Sequence, residues 1–132
     1  MLEARLTVDA PAALAWNLLT DTQAWPRWGT SVRAVRSPTR FIQYGCTGSV
    51  QTVLGLWVPF RITDWEPDRF WGWSVAGVPA TGHRVTPAGP ATCDVVFSVP
   101  GWAAWYLPVC HAALRRIDRL ARDTFSAATG AR

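Results

Sequence analysis

His83 is the residue of this chain that is best suited to proton-transfer chemistry. It is one of only two histidines and lies in the strand-like segment TGHRVT. Neighbouring residues of a strand face opposite sides, so His83 shares a face with Val85 while Arg84 points the other way. An inward-facing histidine could serve as a general acid or base, because its pKa lies close to neutral pH. A hydrogen-bonded core histidine is the alternative, and Asp94 could orient the ring in only one of two strand registers.

Two further polar residues, Tyr44 and Arg61, are candidates for catalysis beside His83. Several other chemistries are excluded by composition. All 13 basic residues are arginine, so there is no lysine to form a Schiff base, act as a base or bind phosphate in a loop. The cysteines and histidines lack the close spacing of zinc ligands, and no nucleotide-binding or serine-hydrolase motif occurs. We therefore expect no metal and no cofactor.

Composition favours a single soluble domain. The 132 residues are 49% hydrophobic and 17% charged, and no apolar run is long enough to insert into a membrane. The first residues, MLEARLTVDAP, mix charged with apolar side chains, unlike a secretory signal, so we expect a cytoplasmic protein. Three widely spaced cysteines indicate reduced thiols rather than a disulfide framework. The domain is expected to cover residues 1–125, with a disordered tail at 126–132.

The elements that must position these residues can be read from the periodicity of apolar side chains. Alternation from Leu2 to Asp9 predicts a strand, and PAALAWNLLT predicts a helix that begins near Pro11. The segment that follows it, DTQAWPRW, allows at most one more helical turn. Strand-like segments then follow, namely SVRAVRS, GSVQTVL, LWVPFRITDW, FWGWSVAG, ATGHRVT and ATCDVVFSV. From Gly101 onward the apolar spacing becomes helical, with Leu107, Cys110, Leu114, Ile117 and Ala121 on one face.

The buried face of the hairpin around EPDR can be predicted from the alternation of side chains along its two strands. If Trp65 pairs with Phe70, six apolar residues share one face, and Arg61 and Trp65 lie on the other. The six are Val58, Phe60, Ile62, Trp71, Trp73 and Val75. We expect the face that carries these six to be buried.

The order of elements, together with several short motifs, closely resembles the START/Bet v 1-like (SRPBCC) superfamily. It is most similar to bacterial members described as polyketide cyclase/dehydrase. The motifs are V-x-A-P at Val8 to Pro11, Trp16, D-x-x-x-W-P-x-W at Asp21 to Trp28, ITDWEP and GHRVTP. The resemblance covers Leu2 to about Phe125. It implies an α+β helix-grip fold, in which a curved antiparallel sheet of six or seven strands wraps a long C-terminal helix and two short helices follow the first strand.

The resemblance also implies a hollow between the sheet and the C-terminal helix. An empty hollow is unfavourable, at roughly 24 cal/mol per Å³ of cavity, so a ligand, water or side chains must fill it. The residues expected to bind a small hydrophobic ligand are Trp25, Trp28, Phe60, Ile62, Trp71, Trp73, Phe97, Trp102, Tyr106 and Cys110. Of these, Trp25 and Trp28 are expected at the rim of the hollow, where they could gate entry or plug it. The alternative is that Trp71, Trp73, Trp102 and Trp105 pack the interior solid.

Three classes of function stay open at this point. The first is a polyketide cyclase, aromatase or dehydrase, a lyase or isomerase without metal or nucleotide cofactor. The second is a non-catalytic carrier or sensor of a lipid-like or aromatic metabolite. The third is an interaction module that uses the arginines at 115, 116, 119 and 122, although a solvated helix face is favoured for these and no nucleic acid is expected as a partner. Trp57 or Trp65 on the outer sheet face could form a homodimer contact.

Overall fold

The fold is a single antiparallel sheet packed against one long helix. The computed structural model describes residues 2–130. In chain order its elements are β1 (Leu2–Val8), α1 (Ala12–Thr20), α2 (Trp25–Trp28), β2 (Val32–Arg36), β3 (Thr47–Thr52), β4 (Trp57–Glu66), β5 (Phe70–Val75), β6 (Val78–Gly89), β7 (Thr92–Val99), a 3₁₀ helix (Gly101–Tyr106) and α3 (Leu107–Thr129). The predicted α+β helix-grip fold is confirmed.

The sheet has seven strands in the order β1-β7-β6-β5-β4-β3-β2. Strands β2 to β7 therefore form a continuous series of hairpins, and the N-terminal strand completes the sheet beside the last one. Between β1 and β7, Leu2 pairs with Val99 and Val8 pairs with Cys93. The connection from β1 to the far edge strand β2 is made by α1 and α2, which close one side of the space between sheet and α3.

Helix α3 buries the apolar stripe that its sequence predicts. Cys110, Ala113, Leu114, Ile117 and Ala121 are buried. The helix begins at Leu107, so Pro108 lies in the first turn, where its missing N–H removes no intrahelical hydrogen bond. It continues to Thr129, beyond the residue 125 at which the domain was expected to end, and residues 131 and 132 lie outside the described part of the chain.

The β4–β5 hairpin keeps its predicted register from Phe60 to Ile62 and differs from it by one residue near the turn. Trp65 pairs with Trp71, and Phe70 pairs with Glu66, because the ladder is interrupted by a bulge between Ile62 and Asp64. The bulge returns Trp65 to the inner face, where its ring meets that of Trp16 with centroids 5.5 Å apart. The prediction that Trp65 faces outward is wrong, so Trp65 is not an outer-face dimer contact.

The two tryptophans of α2 are buried, and their predicted position at the rim is wrong. Trp25 donates its indole N–H to the carbonyl of Leu19, and Trp28 donates to that of Leu18, each at 2.8 Å. Both carbonyls belong to the last turn of α1, where no helical N–H follows to satisfy them. The indoles therefore cap α1 with side-chain donors while their rings enter the core.

Gly48 on β3 allows a close approach that a side chain would block. A Cβ at this position would lie 2.8 Å from the ring of Phe60 and would also clash with the carbonyl of Arg36. Gly101 has open space around it. We expect Gly48→Ala to lower the free energy of unfolding by about 1–3 kcal/mol, measured by urea denaturation. Gly101→Ala should change it by less than about 0.5 kcal/mol. Equal effects of the two substitutions would contradict the packing described here.

Candidate ligand-binding site

The space between the sheet, α2, the 3₁₀ helix and α3 is divided into two compartments. The inner compartment, beside α2, has a volume of about 40 Å³. The outer compartment, at the end of the sheet where β3 meets β4 and β5 meets β6, has a volume of about 520 Å³. Five residues line both, namely Ser31, Val32, Trp73, Thr81 and Tyr106. The two compartments are therefore neighbours that share one wall.

Aromatic side chains reduce the inner compartment to its small size. The ring of Trp25 stacks on that of Trp71 with centroids 5.4 Å apart and planes 11° from parallel. The rings of Trp73 and Phe60 meet Trp25 at 5.3 Å in tilted or edge-on arrangements. These geometries are the ones that aromatic pairs favour. Here Trp71 and Trp73 fill the interior together with Trp25, as the solid-core alternative predicts for the first two, whereas Trp102 and Trp105 of that alternative are largely exposed.

Aliphatic side chains and two outward tryptophans form the outer compartment. Its walls come from hairpin ends and from the segment after β7, and they include Val50, Thr52, Val53, Leu54, Leu56, Val58, Val75, Val78, Ala80, Val99, Trp102, Ala103 and Trp105. Gly55 and Gly77 adopt positive φ angles of 85° and 79°, which turn these two hairpins. At this end the tryptophans line a hollow and do not fill it.

A hydroxyl pair lies on the wall that the compartments share. Ser31 Oγ and Tyr106 Oη are 2.6 Å apart, and each residue lines both spaces. Burial raises the pKa of Tyr106, which keeps the phenol protonated near neutral pH. The indole N–H of Trp71, which lines the inner compartment, has no hydrogen-bond partner within residues 2–130. Uncharged donors therefore face both spaces.

His83 is buried in the inner compartment with both ring nitrogens engaged. Nδ1 lies 3.2 Å from the carbonyl oxygen of Trp71, which can only accept, so Nδ1 carries the proton. Nε2 then accepts from the hydroxyl of Thr81 at 2.9 Å, and Thr81 Oγ1 accepts from the indole N–H of Trp73 at 3.1 Å. The imidazole also stacks on Trp71, with centroids 3.8 Å apart. Its predicted inward orientation is confirmed, whereas its catalytic role stays a prediction.

The charged neighbours of His83 point away from it. Arg84 faces outward and pairs with Glu66 at 3.1 Å. Asp94 accepts a hydrogen bond from Thr7 at 2.7 Å, and its position along β7 has the opposite parity to Phe97, the residue that pairs with His83. Asp94 therefore does not orient the imidazole. In the described part of the chain no countercharge lies beside the imidazole, and burial lowers the pKa of His83 to about 3.

The predicted site residues divide into five groups. Trp25, Trp28, Trp71, Phe97, Cys110 and His83 line the inner compartment, Trp73 and Tyr106 line both, and Trp102 lines the outer one. Phe60 and Ile62 are buried in the core behind these walls. Tyr44, exposed by 70% in the β2–β3 connection, and Arg61, on the outer face of β4, lie outside both spaces. The expectation that Tyr44 and Arg61 meet a ligand in the hollow is wrong.

Most walls of the outer compartment were not anticipated from sequence. Val58 and Val75 belong to the face predicted to be buried, but no role was predicted for Ser31 or for the apolar residues at the two hairpin turns. The signal that could have found them is the segment TVLGLWV, in which apolar residues flank the turn glycine Gly55 on both sides. Turns at a sheet end are normally polar, so an apolar turn indicates a surface that something covers.

Cysteines and acidic residues do not form a metal centre in the part of the chain described. Cys46, Cys93 and Cys110 are all free thiols. Within residues 2–130, no three His, Cys, Asp or Glu side chains come close enough to bind an ion together. No helix in the same range combines the length and apolarity that crossing a bilayer demands.

An antiparallel sheet that clasps a C-terminal helix around an apolar hollow defines the helix-grip class of ligand-binding folds. A family profile matches residues 2–124, and the chain belongs to the family described as polyketide cyclase / dehydrase and lipid transport. This confirms the predicted resemblance to the START/Bet v 1-like superfamily. No curated protein sequence is significantly similar to the chain.

Solved structures share the fold at low sequence identity. The Zhui aromatase/cyclase from Streptomyces sp. R1128 superimposes with a TM-score of 0.68 at 16% identity, over 92% of each chain. A START superfamily protein from Mycobacterium smegmatis gives 0.69 at 12% identity, over 93% of this chain and 97% of that one. Norcoclaurine synthase from Thalictrum flavum, solved with dopamine and hydroxybenzaldehyde, gives 0.60 at 13%, over 92% and 86%. These similarities show the shared fold, and the family description supports the binding of hydrophobic ligands.

The buried imidazole makes stability depend on pH. The pKa of His83 falls from 6.5 to about 3 on folding, so between these values the unfolded chain binds a proton that the folded chain does not. Stability therefore decreases as the pH falls below 6.5 and is unaffected by this group above that value. Between about pH 7 and about pH 5 we expect the wild type to lose about 2 kcal/mol more than His83→Gln, measured by urea denaturation. His111→Gln, at the exposed second histidine, should keep the wild-type slope. Parallel pH profiles for the wild type and His83→Gln would contradict the assignment.

Proposed function

We propose that this protein binds one small, uncharged molecule with an apolar, ring-bearing body and a single polar group, and acts as its carrier or sensor. The observation that carries this proposal is the outer compartment, an apolar hollow of about 520 Å³ with a pair of hydroxyl groups on its inner wall. Its size falls within the range of roughly 300–1,000 Å³ that is typical of small-molecule sites.

Water is a poor occupant of this hollow. Its walls are aliphatic and aromatic over most of their area, so water inside finds few hydrogen-bond partners. A ligand that replaces this water gains the free energy of removing apolar surface from contact with it. The flat rings of Trp73, Trp102 and Trp105 suit a flat guest, because offset and edge-on contacts between rings are favourable.

The walls also limit the charge of the ligand. Among residues 2–130, the side chains that line the two compartments include no carboxylate and no arginine. A charged group moved into this space would lose its hydration without gaining a counterion. The hydroxyls of Ser31 and Tyr106 can instead donate to one neutral acceptor, such as a ketone, aldehyde or ester oxygen.

Carrying or sensing is favoured over acid–base catalysis by the state of His83. Both of its nitrogens are already engaged, and it is neutral near physiological pH. The family description and the similarity to an aromatase/cyclase make a cyclisation or dehydration of a polyketide-like substrate the alternative. In this hollow such a reaction would depend mainly on how the walls fold the substrate. Product formation by the wild type from a linear polyketide analogue would favour that alternative.

The neutral-acceptor preference can be tested with two naphthalenes that differ in their polar group. We expect acetylnaphthalene to bind at least about ten-fold more tightly than naphthoate, because the carboxylate must be desolvated without a partner. Tryptophan fluorescence quenching or calorimetry gives both affinities. Tyr106→Phe should weaken the binding of the ketone. It should leave the affinity for ethylnaphthalene, which lacks an acceptor, unchanged. A preference for naphthoate would refute the predicted ligand class.

The location of the site can be tested by filling it. Ala80 lines the outer compartment, so Ala80→Phe should lower the affinity for acetylnaphthalene about ten-fold or more by occupying its space. Ala127→Phe places the same side chain on the exposed part of α3 and is the matched control. Thermal unfolding should show both variants folded. Unchanged affinity in folded Ala80→Phe would place the ligand elsewhere.

A further inference from the structure

The mouth of the outer compartment carries an unusual concentration of exposed apolar side chains. Nine large apolar residues are exposed among residues 2–130, and six of them line this compartment: Val53, Leu54, Leu56, Val78, Trp102 and Trp105. Leu54 is exposed by 83%, Trp105 by 70% and Trp102 by 67%. Single exposed apolar residues are common on soluble proteins, whereas a contiguous group of this kind marks an interaction surface. We call these six residues the rim.

The topology places the rim at one end of the molecule. Residues 53–56 join β3 to β4, residues 76–77 join β5 to β6, and Trp102 and Trp105 follow β7. In an antiparallel sheet these three connections lie at the same end. The β4–β5 turn, at the opposite end of β4, contains the acidic residues Glu66 and Asp68. The rim and the acidic turn are therefore at opposite ends of the sheet.

The segments that form the rim and its flanks carry arginines and no acidic residue, apart from Glu3 at the start of β1. Between Asp21 and Asp64 the sequence contains five arginines and no acidic residue, and between Asp94 and Asp118 it again contains none. Arg33 is exposed and adjoins Val32, which lines the compartment. No ion pair within residues 2–130 includes it.

Two residues refine this charge pattern. The guanidinium of Arg36 lies 3.9 Å from the ring centre of Trp57, the residue after Leu56, so a second cation lies close to the apolar turn. Glu3, whose strand β1 begins at this end of the sheet opposite Val99, is already paired with Arg5 at 3.3 Å. Exposed tryptophan and leucine side chains next to unpaired arginines are the combination that binds the interface of an anionic bilayer.

We propose that the rim docks on a lipid bilayer that contains anionic lipids, with the outer compartment opening towards the lipid. Leu54 and the two tryptophans enter the interfacial region, and Arg33 and Arg36 face the lipid phosphates. Docking of this kind needs no spanning helix. A second copy of the chain is a poorer occupant, because a two-fold contact through the rim would bring two basic, acid-poor surfaces together. The proposal adds a partner to ligand binding and does not depend on what the cavity holds.

The experiment is co-sedimentation of the full chain with vesicles at physiological ionic strength. We expect binding to vesicles of equimolar phosphatidylcholine and phosphatidylglycerol and much weaker binding to phosphatidylcholine alone. Binding should fall as salt is added, because exposed charges are screened. Equal binding to both compositions, or to neither, would overturn the proposal.

Matched variants test the two parts of the surface. Trp105 and Tyr44 are each 70% exposed, but only Trp105 belongs to the rim. Trp105→Ser should lower the partition coefficient about ten-fold, while Tyr44→Ser leaves it unchanged. Arg33→Gln should lower it about five-fold, the effect of one cation at an anionic surface. Arg119→Gln, on exposed α3, should have little effect. Equal losses within either pair would overturn the assignment of the rim.

Two further measurements separate this proposal from its alternatives. Ala80→Phe should still bind vesicles, so a failure of ligand binding can be distinguished from a failure of docking. Sedimentation velocity without vesicles should show a monomer at micromolar concentration. A dimer that Trp105→Ser dissociates, with no vesicle binding, would instead assign the rim to a second copy of the chain.

Discussion

The stack of Trp25 on Trp71 is the contact on which the arrangement of the site depends. Trp25 belongs to α2, and Trp71 belongs to the centre of the sheet, with rings 5.4 Å apart and nearly parallel. The indole N–H of Trp25 meanwhile satisfies the carbonyl of Leu19 at the end of α1. One side chain thus links both short helices to the sheet, and the ring surface it buries offsets the entropy of ordering this connection.

That contact also determines where space is left between the sheet and α3. Indole rings around Trp71 occupy the α2 end and enclose His83, so the imidazole is neutral and its hydrogen bonds are complete. Such a group is a structural element of the wall more than a reagent, because any proton it accepts must be held without a countercharge. At the other end the inward positions carry valine and alanine, such as Val50, Val58 and Ala80, whose smaller volumes leave the outer compartment. The same fold is therefore solid at one end and hollow at the other.

The periodicity of apolar residues was sufficient to predict the fold, because each helix and strand has a clear pattern. The apolar stripe of α3 and the alternation along β4 and β5 gave the correct buried faces for Ile117, Phe60 and Trp71. The bulge that turns Trp65 inward could not be foreseen, since parity assumes an unbroken ladder. The site was harder to predict. Whether Trp25 lies at a rim or in the core depends on the packing of α2 against α1 and the sheet, and strand parity carries no information about that packing.

The position of the outer compartment behind an apolar rim, with arginines beside that rim, suggests why a site for a neutral ligand and a basic surface would occur together. An apolar, uncharged molecule is concentrated in the bilayer, because it gains there the same hydrophobic free energy that it gains in the cavity. A ligand that moved from the bilayer to the cavity through bulk water would have to expose its apolar surface to water on the way. A mouth held against the bilayer by Leu54, Trp102 and Trp105 shortens the aqueous path. Arginines beside the mouth contribute attraction to lipid phosphates without adding charge to the cavity walls. Placing the cations outside and only hydroxyl donors within would thus allow one protein to approach a charged surface and accept an uncharged guest from it.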